Sequence, residues 1–377
     1  MIYFDNAATT RPYEEVVKTY ARLSEEIFGN PSSPNGLGLK ASEYLEKARA
    51  QIKRTLKLGE EFELVFTSGA TESNNLAIRG YALRHQKEGR HLITTCVEHP
   101  SVENVFRELE KESFKVTYLP VDGEGRISLE NLKEVMDEET TLVSVMGVNN
   151  EVGTVFPLTE ISRIVHAYPH AVLMSDLTQR MGKEEVPYPA LDLFSMSGHK
   201  VKGLKSSGLL GIRKGLLLDP VLLGGEQEYG ERPGTINVPL CCSLATALRL
   251  YIGSYDERRA KAQEINSYLR EELGKRDDLT IVSPEDATPF ILNFALKKTK
   301  ASVLIEALSK KEIYVSTRSA CSSHAKGGSS VLLAMGYPEF LAENAVRLSF
   351  EGTESMEDAR NFITALNTTL DELKTMK

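Results

Sequence analysis

The chain has 377 residues, of which 41% are hydrophobic and 26% charged, and it contains no tryptophan. This length exceeds what one minimal core needs, so two domains are the first expectation. The formal net charge of −8 argues against broad binding to nucleic acid or to an anionic membrane surface. No apolar run approaches the length of a membrane span and no secretory signal pattern opens the chain, which favours a cytoplasmic protein.

Short β-rich runs alternate with amphipathic helical stretches from residue 63 to about residue 215. The predicted strands are ELVFTS, HLITTC, KVTYLP, TTLVSVMGV, AVLMSD, LDLFSMS and SGLLGIR, and the helical stretches include ESNNLAIRGYALRHQ, SVENVFRELEKE and LTEISRIVHAY. Alternation of this kind predicts an α/β fold with a largely parallel sheet between layers of helices. In such sheets, ligands bind beyond the carboxyl ends of the strands.

A long helical segment is predicted from about 238 to 275, and the pattern changes after it. The later elements are LTIVSP, FILNFAL, a helix at 300–311, EIYVS, AVRLSFE and a final helix. They predict a smaller α/β unit around a short sheet. We therefore expect a large domain at 15–255 and a small domain formed by 1–14 and 256–377.

The four cysteines are Cys96, Cys241, Cys242 and Cys321. They show no CxxC spacing and no His/Cys cluster, so the sequence predicts neither a disulfide framework nor a metal site. The first three lie in or beside apolar or helical runs, and we expect them to be buried. Cys321 differs, because it lies in STRSACSSHAKGGSS, a run of small, polar and glycine residues that is typical of a loop.

Three predicted strands end in residues that together suit one cofactor. FTSGATESNN at 66–75 places Ser-Gly-Ala-Thr between a strand and a helix start, which indicates an anion cradle suited to phosphate. Asp176 ends the strand AVLMSD, and Lys200 ends the turn SGHK after LDLFS. Taken alone, such a lysine is typical of a solvated loop and such an aspartate of a helix cap. Together they meet the needs of pyridoxal phosphate: a Schiff-base lysine, an acid for the pyridine nitrogen and a phosphate anchor.

With these features the sequence resembles the cysteine desulfurases of the NifS/IscS family, within the fold-type I pyridoxal-phosphate enzymes related to class V aminotransferases. The matching motifs are YFDNAATT at 3–10, FGNPSS at 28–33, FTSGATESNNLAI at 66–78, EHPSV at 98–102, VNNEVGT at 148–154, SGHK at 197–200, GGEQEYGERPGT at 224–235, RSACSS at 318–323 and VRLS at 346–349. The resemblance implies a pyridoxal 5'-phosphate enzyme that converts L-cysteine to L-alanine. It also implies that the sulfur passes to an enzyme cysteine and then to acceptors.

The resemblance implies roles for single residues at the cofactor. Lys200 would carry the cofactor, Asp176 would bond its pyridine nitrogen, and His99 would stack on the ring and assist proton transfers. The phenolic oxygen would be bonded by Gln179 and by Asn150. The residues implied to hold the phosphate are Ala70, Thr71, Ser197, Gly198 and His199, with Thr235 reaching it from the other subunit of a homodimer. Taken alone, His99 is also typical of a strand-end histidine with satisfied hydrogen bonds.

On the substrate side, the resemblance implies that Arg347 clamps the cysteine carboxylate beside Asn150, a planar task that suits arginine. Taken alone, Arg347 also fits a surface position in an edge strand. Cys321 resembles the nucleophile that receives the sulfur as a persulfide. Small residues around it favour loop motion, and His324 and Lys326 favour the thiolate. The loop length resembles that of housekeeping members, which implies acceptors such as an iron–sulfur scaffold or a tRNA-thiolating enzyme.

Three places depart from the family pattern, and two other functions remain open. GLKSSG at 203–208 lacks the usual proline, Pro233 replaces a serine near the phosphate contact, and Leu177 and Thr178 replace small residues. A selenocysteine lyase would perform the same chemistry on selenium without strictly needing Cys321. A non-catalytic sulfur-relay or scaffold protein would keep the fold without the chemistry.

Overall fold

Apart from a short first strand that was not predicted, the strands of the computed structural model, which describes residues 1–317 and 328–375, occur where the apolar runs predict them. In chain order they are β1 (Ile2–Tyr3), β2 (Phe62–Thr67), β3 (His91–Thr95), β4 (Lys115–Leu119), β5 (Thr140–Ser144), β6 (Val172–Asp176), β7 (Leu193–Ser197), β8 (Gly208–Arg213), β9 (Leu279–Ile281), β10 (Ile291–Leu296), β11 (Ile313–Tyr314) and β12 (Ala345–Ser349).

Seven of these strands form the central sheet, in the order β2-β8-β7-β6-β5-β3-β4. The pairs from β7 to β4 are all parallel, whereas β8 runs antiparallel to both β7 and β2. The predicted, mostly parallel sheet is therefore confirmed. Because β2 to β7 share one direction, their carboxyl ends lie at the same edge of the sheet.

The helices are α1 (Glu14–Glu26), α2 (Gly36–Leu56), α3 (Ala70–Asn75), α4 (Tyr81–Arg84), α5 (Pro100–Lys111), α6 (Leu129–Val135), α7 (Leu158–Val165), α8 (Val238–Gly253), α9 (Tyr255–Gly274), α10 (Ala301–Lys310), α11 (Ser330–Ala334), α12 (Glu339–Glu343) and α13 (Met356–Thr375). A π-helical turn (Leu76–Gly80) interrupts the helix predicted for ESNNLAIRGYALRHQ. Within the described ranges, no helix has the length and apolar character that crossing a membrane requires.

The helical segment predicted from about 238 to 275 is confirmed in its extent, but it consists of two helices that meet at Ser254. The Ser254 hydroxyl donates to the carbonyl oxygens of Leu250 at 3.1 Å and Tyr251 at 3.3 Å. A serine that bonds to the preceding turn competes with the backbone ladder and favours a bend. The periodicity of charges continues across this bend, so the sequence pattern alone did not reveal it.

Neighbouring residues on the central strands face two different cores. Leu92 packs in the core that includes α5, whereas Ile93 packs in the core that includes α2, α7 and α8. Successive side chains of a strand point to opposite faces of the sheet. A strand that is buried on both faces therefore reads as a continuous apolar run.

A second group of strands lies against α9, α10 and α13. β10 pairs antiparallel with β9 and β12, and β1 pairs in parallel with β11. These elements enclose a core of their own, which includes Leu269, Leu304 and Phe362. The first strand of the chain and its last elements therefore share one hydrophobic core.

Candidate active site

A cavity of about 160 Å³ lies at the carboxyl edge of the central sheet, the edge at which open α/β sheets bind ligands. The predicted site residues that line it are Ala70, Thr71, His99, Asn150, Asp176, Gln179, Ser197, His199, Lys200 and Arg347. Gly198 and Thr235 are not among the lining residues. The predicted nucleophile Cys321, with its neighbours His324 and Lys326, lies outside the described residues.

Lys200 ends a short 3-10 turn (Gly198–Lys200) directly after β7. Its Nζ donates to the carbonyl oxygens of Ala7 and Ala8, both at 2.6 Å. Both alanines line the cavity, and they belong to the motif YFDNAATT near the start of the chain. Sequence reasoning assigned no role to these alanines, because they act through backbone oxygens that every residue carries.

Asp176, the last residue of β6, is 6% exposed and is held by two neutral donors. Its Oδ2 accepts from Asn74 Nδ2 and its Oδ1 from the Thr178 N–H, each at 2.9 Å. Asn74 also donates to Ser101 Oγ at 2.9 Å. Sequence analysis missed Asn74, although it follows Ala70 by four residues and therefore lies on the same face of α3.

His99 caps the start of α5. The backbone N–H of Ser101 donates to His99 Nδ1 at 3.1 Å, so Nδ1 is unprotonated and the neutral ring carries its proton on Nε2. Burial lowers the pKa of His99 and exceeds the opposing effect of the nearby Asp176 carboxyl. Burial therefore favours the neutral form of His99, which presents a single ring N–H.

The predicted phosphate cradle is the turn between β2 and α3 together with Ser197. The Ala70 N–H donates to Ser197 Oγ at 2.8 Å, and Thr71 lines the cavity beside them. Gly69 has φ +150°, a conformation that favours glycine. Gly208 of β8 passes so close that a Cβ there would lie 2.4 Å from the Gly69 Cα. Glycine at both positions lets β8 run beside the cradle.

The other residues predicted to bind phosphate differ in placement. His199 lines the cavity, and burial together with the charge of Lys200 lowers its pKa to about 4. The Gly198 N–H donates to the carbonyl oxygen of Ser207 at 2.8 Å. This bond occupies the N–H, and Gly198 does not line the cavity. Thr235 is exposed and borders a separate cleft beside Gly208.

The amide of Gln179 is bonded at both of its ends. Its Nε2 donates to the carbonyl oxygen of Ala7 at 2.9 Å, and its Oε1 accepts from Lys183 Nζ at 3.1 Å. Gln179 is 5% exposed and Lys183 is 1% exposed. Lys183 does not line the cavity, and sequence analysis assigned it no role.

Arg347 lies on the edge strand β12, yet only 1% of the residue is exposed, so the reading of a surface arginine is wrong. Its Nη1 donates to the carbonyl oxygen of Asn150 at 2.9 Å and its Nη2 to Asp5 Oδ1 at 3.1 Å. Among the described residues, its Nε has no hydrogen-bond partner. Burial raises the pKa of Asp5, against the opposing effect of Arg347.

The lining chemistry fits pyridoxal phosphate. A lysine amine, a buried carboxyl group, a neutral imidazole and the hydroxyl groups of the cradle all meet in this one cavity. Met146 and Val148, which follow β5 and were not predicted, add apolar surface that suits an aromatic ring. Thr178, a departure from the family pattern, also lines the cavity and supplies the N–H that bonds Asp176.

A mostly parallel sheet with this lysine and acid at its carboxyl edge defines an α/β enzyme of the pyridoxal-phosphate type. The profile of the family described as aminotransferase class-V matches residues 2–362. The chain belongs to this family.

Similar proteins cover nearly the whole chain. The chain is 42% identical over 372 residues to a protein named NifS/IcsS protein homolog from Lactobacillus delbrueckii subsp. bulgaricus, spanning 97% of this chain and 96% of the relative. It is 35% identical over 379 residues to cysteine desulfurase IscS 1 of Archaeoglobus fulgidus, spanning 100% and 98%. A solved NifS-like protein, 35% identical, matches with a TM-score of 0.92 over 98% of this chain and 99% of its own.

Proposed function

We propose that this chain is a pyridoxal-phosphate-dependent cysteine desulfurase, which converts L-cysteine to L-alanine and passes the sulfur to Cys321. The observation that carries the proposal is the meeting of Lys200, Asp176 and His99 in one cavity at the carboxyl edge of the sheet. Relatives that are named for this activity align with almost the whole chain. When bound, pyridoxal phosphate supplies an electron sink that weakens the bonds around the substrate α-carbon.

The residues of the central sheet hold this cofactor. Lys200 would bind it covalently and move protons at its amine, while Asp176 would bond the pyridine nitrogen. The bonds from Asn74 and Thr178 keep the Asp176 carboxyl in place. His99, with its proton on Nε2, would stack on the ring and serve as a second proton carrier.

The substrate carboxylate binds to Arg347, with Asn150 beside it. The guanidinium donates one hydrogen bond to the Asn150 carbonyl oxygen and one to Asp5 Oδ1. These two bonds fix the plane of the guanidinium. A planar guanidinium binds a carboxylate through two parallel hydrogen bonds. This geometry orients cysteine before any bond is broken.

Cys321 lies in a segment whose two described ends contact the same wall of the cavity. Ser316 and Arg347 exchange backbone hydrogen bonds of 2.7 and 3.2 Å, and Ser329 donates to Glu151, next to Asn150. The thiolate of Cys321 attacks the substrate sulfur. The new S–S bond forms a persulfide as the C–S bond breaks, and its electron pair stays with the substrate carbon.

The other three thiols are unsuited to this attack. Burial raises the pKa of Cys96 and of Cys241, and it raises the pKa of Cys242 to about 11. Of these three, Cys241 is buried as expected. Cys96 and Cys242 are only half-buried, although the sequence predicted that they would be buried. Because the thiolate is the nucleophile, a raised pKa leaves little reactive sulfur at neutral pH.

A homodimer with shared sites is the second part of the proposal. Leu217, Val221, Leu222 and Leu223 are exposed, the last at 89%, and two of them border clefts at Thr71. An exposed apolar segment of this kind suits burial against a second copy. That arrangement would bring Thr235 of one subunit to the cradle of the other. Sedimentation should show a dimer; a monomer that turns over cysteine at the full rate would contradict it.

The finer biological setting is also proposed. Persulfide chemistry suits a reducing compartment such as the cytoplasm, and the acceptor is an iron–sulfur scaffold or a tRNA-thiolating enzyme. Incubating an extract with enzyme that carries labelled sulfur should place the label on such an acceptor.

The decisive experiment compares two serine variants loaded with the cofactor. Cys321→Ser should keep the cofactor absorbance yet release almost no alanine from L-cysteine, because serine has no accessible anion at neutral pH. Cys242→Ser is the matched control and should turn over near the wild-type rate. A change that acts only on bond breaking lowers kcat and leaves cofactor binding intact.

Three results would contradict the proposal. Wild-type alanine release by Cys321→Ser would remove the thiol from the mechanism, and faster turnover of L-selenocysteine by that variant would identify a selenocysteine lyase. A wild-type chain that takes up no cofactor would favour a sulfur-relay protein without this chemistry.

A further inference from the structure

Lys183 is a buried cation that the proposed chemistry does not use. It lies in the turn after β6 and is 1% exposed, although lysine is almost never fully buried without a partner. Burial lowers the pKa of Lys183, and Arg258 on α9 and Arg347 on β12 act in the same direction, whereas Glu351 and Glu354 after β12 oppose them and favour the charged form. The nearest oxygen of Glu351 is 3.8 Å from Lys183 Nζ, which is beyond hydrogen-bond distance. Lys183 Nζ instead donates a hydrogen bond to Gln179 Oε1, at 3.1 Å.

The neighbours of Gln179 determine which way its amide points. The ammonium group of Lys183 can only donate, and the carbonyl oxygen of Ala7 can only accept. The amide oxygen therefore faces Lys183, and the amide nitrogen faces Ala7 and the cavity that Gln179 lines. The reversed amide would place N–H groups against the ammonium and oxygen against oxygen.

We propose that Lys183 is a positioning residue, which holds and polarises the Gln179 amide so that its nitrogen donates into the cavity. A charge-assisted bond at the oxygen end strengthens the donor at the nitrogen end. The inference rests on the proposed function, because the group that receives this bond is the phenolic oxygen of pyridoxal phosphate. A donor to that oxygen stabilises its negative charge and lowers the pKa of the bound chromophore.

The test follows the absorbance of the cofactor-loaded enzyme against pH, without substrate. Lys183→Met and Gln179→Leu should each raise the pKa of the chromophore by about 1 unit or more, since a hydrogen bond to a charged group is lost. The double variant should shift no further than Gln179→Leu alone, because Lys183 acts through that amide.

Lys183→Met leaves Glu351 buried without its cation, and this change alone destabilises a fold. The double variant Lys183→Met with Glu351→Gln removes both charges and should show the same rise in chromophore pKa. Glu351→Gln alone is the control and should leave the pKa near the wild-type value, since it keeps the bond to Gln179.

Two outcomes would overturn the inference while leaving the proposed function intact. One is that Lys183→Met, alone or together with Glu351→Gln, binds the cofactor and leaves the pKa of the chromophore unchanged. The other is that the double variant of Lys183 and Gln179 shifts the chromophore pKa by the sum of the two single shifts. That result would show that the Lys183 charge acts on the chromophore directly and not through Gln179. A wild type that takes up no cofactor would instead refute the proposed function, and this inference with it.

Discussion

Two walls of the cavity differ in how the chain builds them. The wall that we assign to the cofactor is formed by the ends of neighbouring parallel strands, with Asp176 on β6 and Ser197 on β7. The wall that we assign to the substrate joins Asp5, Asn150 and Arg347, which lie far apart in the sequence. The first wall therefore follows from the sheet alone, whereas the second requires the last strands of the chain to dock beside the first residues.

This difference predicts two kinds of defect. Changes in the cofactor wall should alter how the cofactor is bound, because we propose that those groups contact it directly. Changes in the substrate wall should leave the cofactor in place and weaken the binding of cysteine. Two variants test this separation and a third tests the support behind the cavity, in order of decreasing expected effect.

Lys200→Ala should have the largest effect, because it removes both the covalent attachment and a proton carrier. Loss of a positioned acid–base group lowers turnover by roughly 10²–10⁴-fold. Borohydride reduction and peptide mapping should place the pyridoxyl group on Lys200 of the wild type and on no lysine of the variant. Lys205→Ala, at an exposed position in the next turn, is the control. A label on Lys183, the buried lysine behind Gln179, would show that the cofactor wall is assigned wrongly.

Glu98→Gln should change the pH dependence of stability, because Glu98 is a buried carboxyl group that supports two residues of the cavity lining, its chain neighbour His99 and Met146. Its Oε1 accepts from Thr95 and from the Met146 N–H, each at 2.9 Å, which links the ends of β3 and β5. Burial raises the pKa of Glu98 from 4.5 to about 8. The folded state therefore binds this proton more tightly than the unfolded chain, and stability falls as the pH rises from about 4.5 to about 8.

Glu98→Gln lacks this titratable group, so its stability should not fall over this pH range. A shift of this size corresponds to a difference on the order of 5 kcal/mol between variant and wild type above pH 8, and to little difference below pH 4.5. Chemical unfolding at pH 5, 7 and 9 measures it. Glu134→Gln, on an exposed position of α6, is the control. Parallel pH curves for the wild type and Glu98→Gln would show that Glu98 is ionised in the folded protein.

Arg347→Lys should have the smallest effect of the three, and it should be confined to the substrate. Lysine keeps the charge but loses the two-bond contact with a carboxylate. We expect KM for L-cysteine to rise about 10–100-fold, the equivalent of a lost charged hydrogen bond, with the cofactor absorbance unchanged. Arg249→Lys, a half-exposed arginine paired with Glu15, is the control. Loss of the cofactor by Arg347→Lys would mean that the two walls are not separate.

Most of the fold was predictable, because burial on both faces makes the central strands continuous apolar runs. Strand ends then identified Asp176, Lys200 and the cradle without any knowledge of contacts. The domain division near residue 255 stays a prediction, supported by the separate core around α9, α10 and α13. The break at Ser254 was missed, because the charges keep their helical spacing through it.

Several site features followed no local pattern. Asn74 bonds Asp176 across two elements, and the carbonyl oxygens of Ala7 and Ala8 accept from Lys200. The spacing of Asn74 from Ala70 indicates only a shared helix face, and the two alanines near the start of the chain carry no signal of their contacts. Arg347 illustrates the same limit, since an edge strand usually exposes its charges, and here the segment around Asp5 covers it.

By itself, the sequence determined the kinds of elements, the direction of the sheet and the chemical groups at its carboxyl edge, because these follow from periodicity and from residue type. Only the tertiary structure decided the burial of Arg347, the tautomer of His99 and the orientation of the Gln179 amide. Each of these depends on a donor or acceptor that another segment supplies, and often on a backbone group. Backbone groups are the same at nearly every position, so no residue pattern reveals which of them the fold will bring to the site.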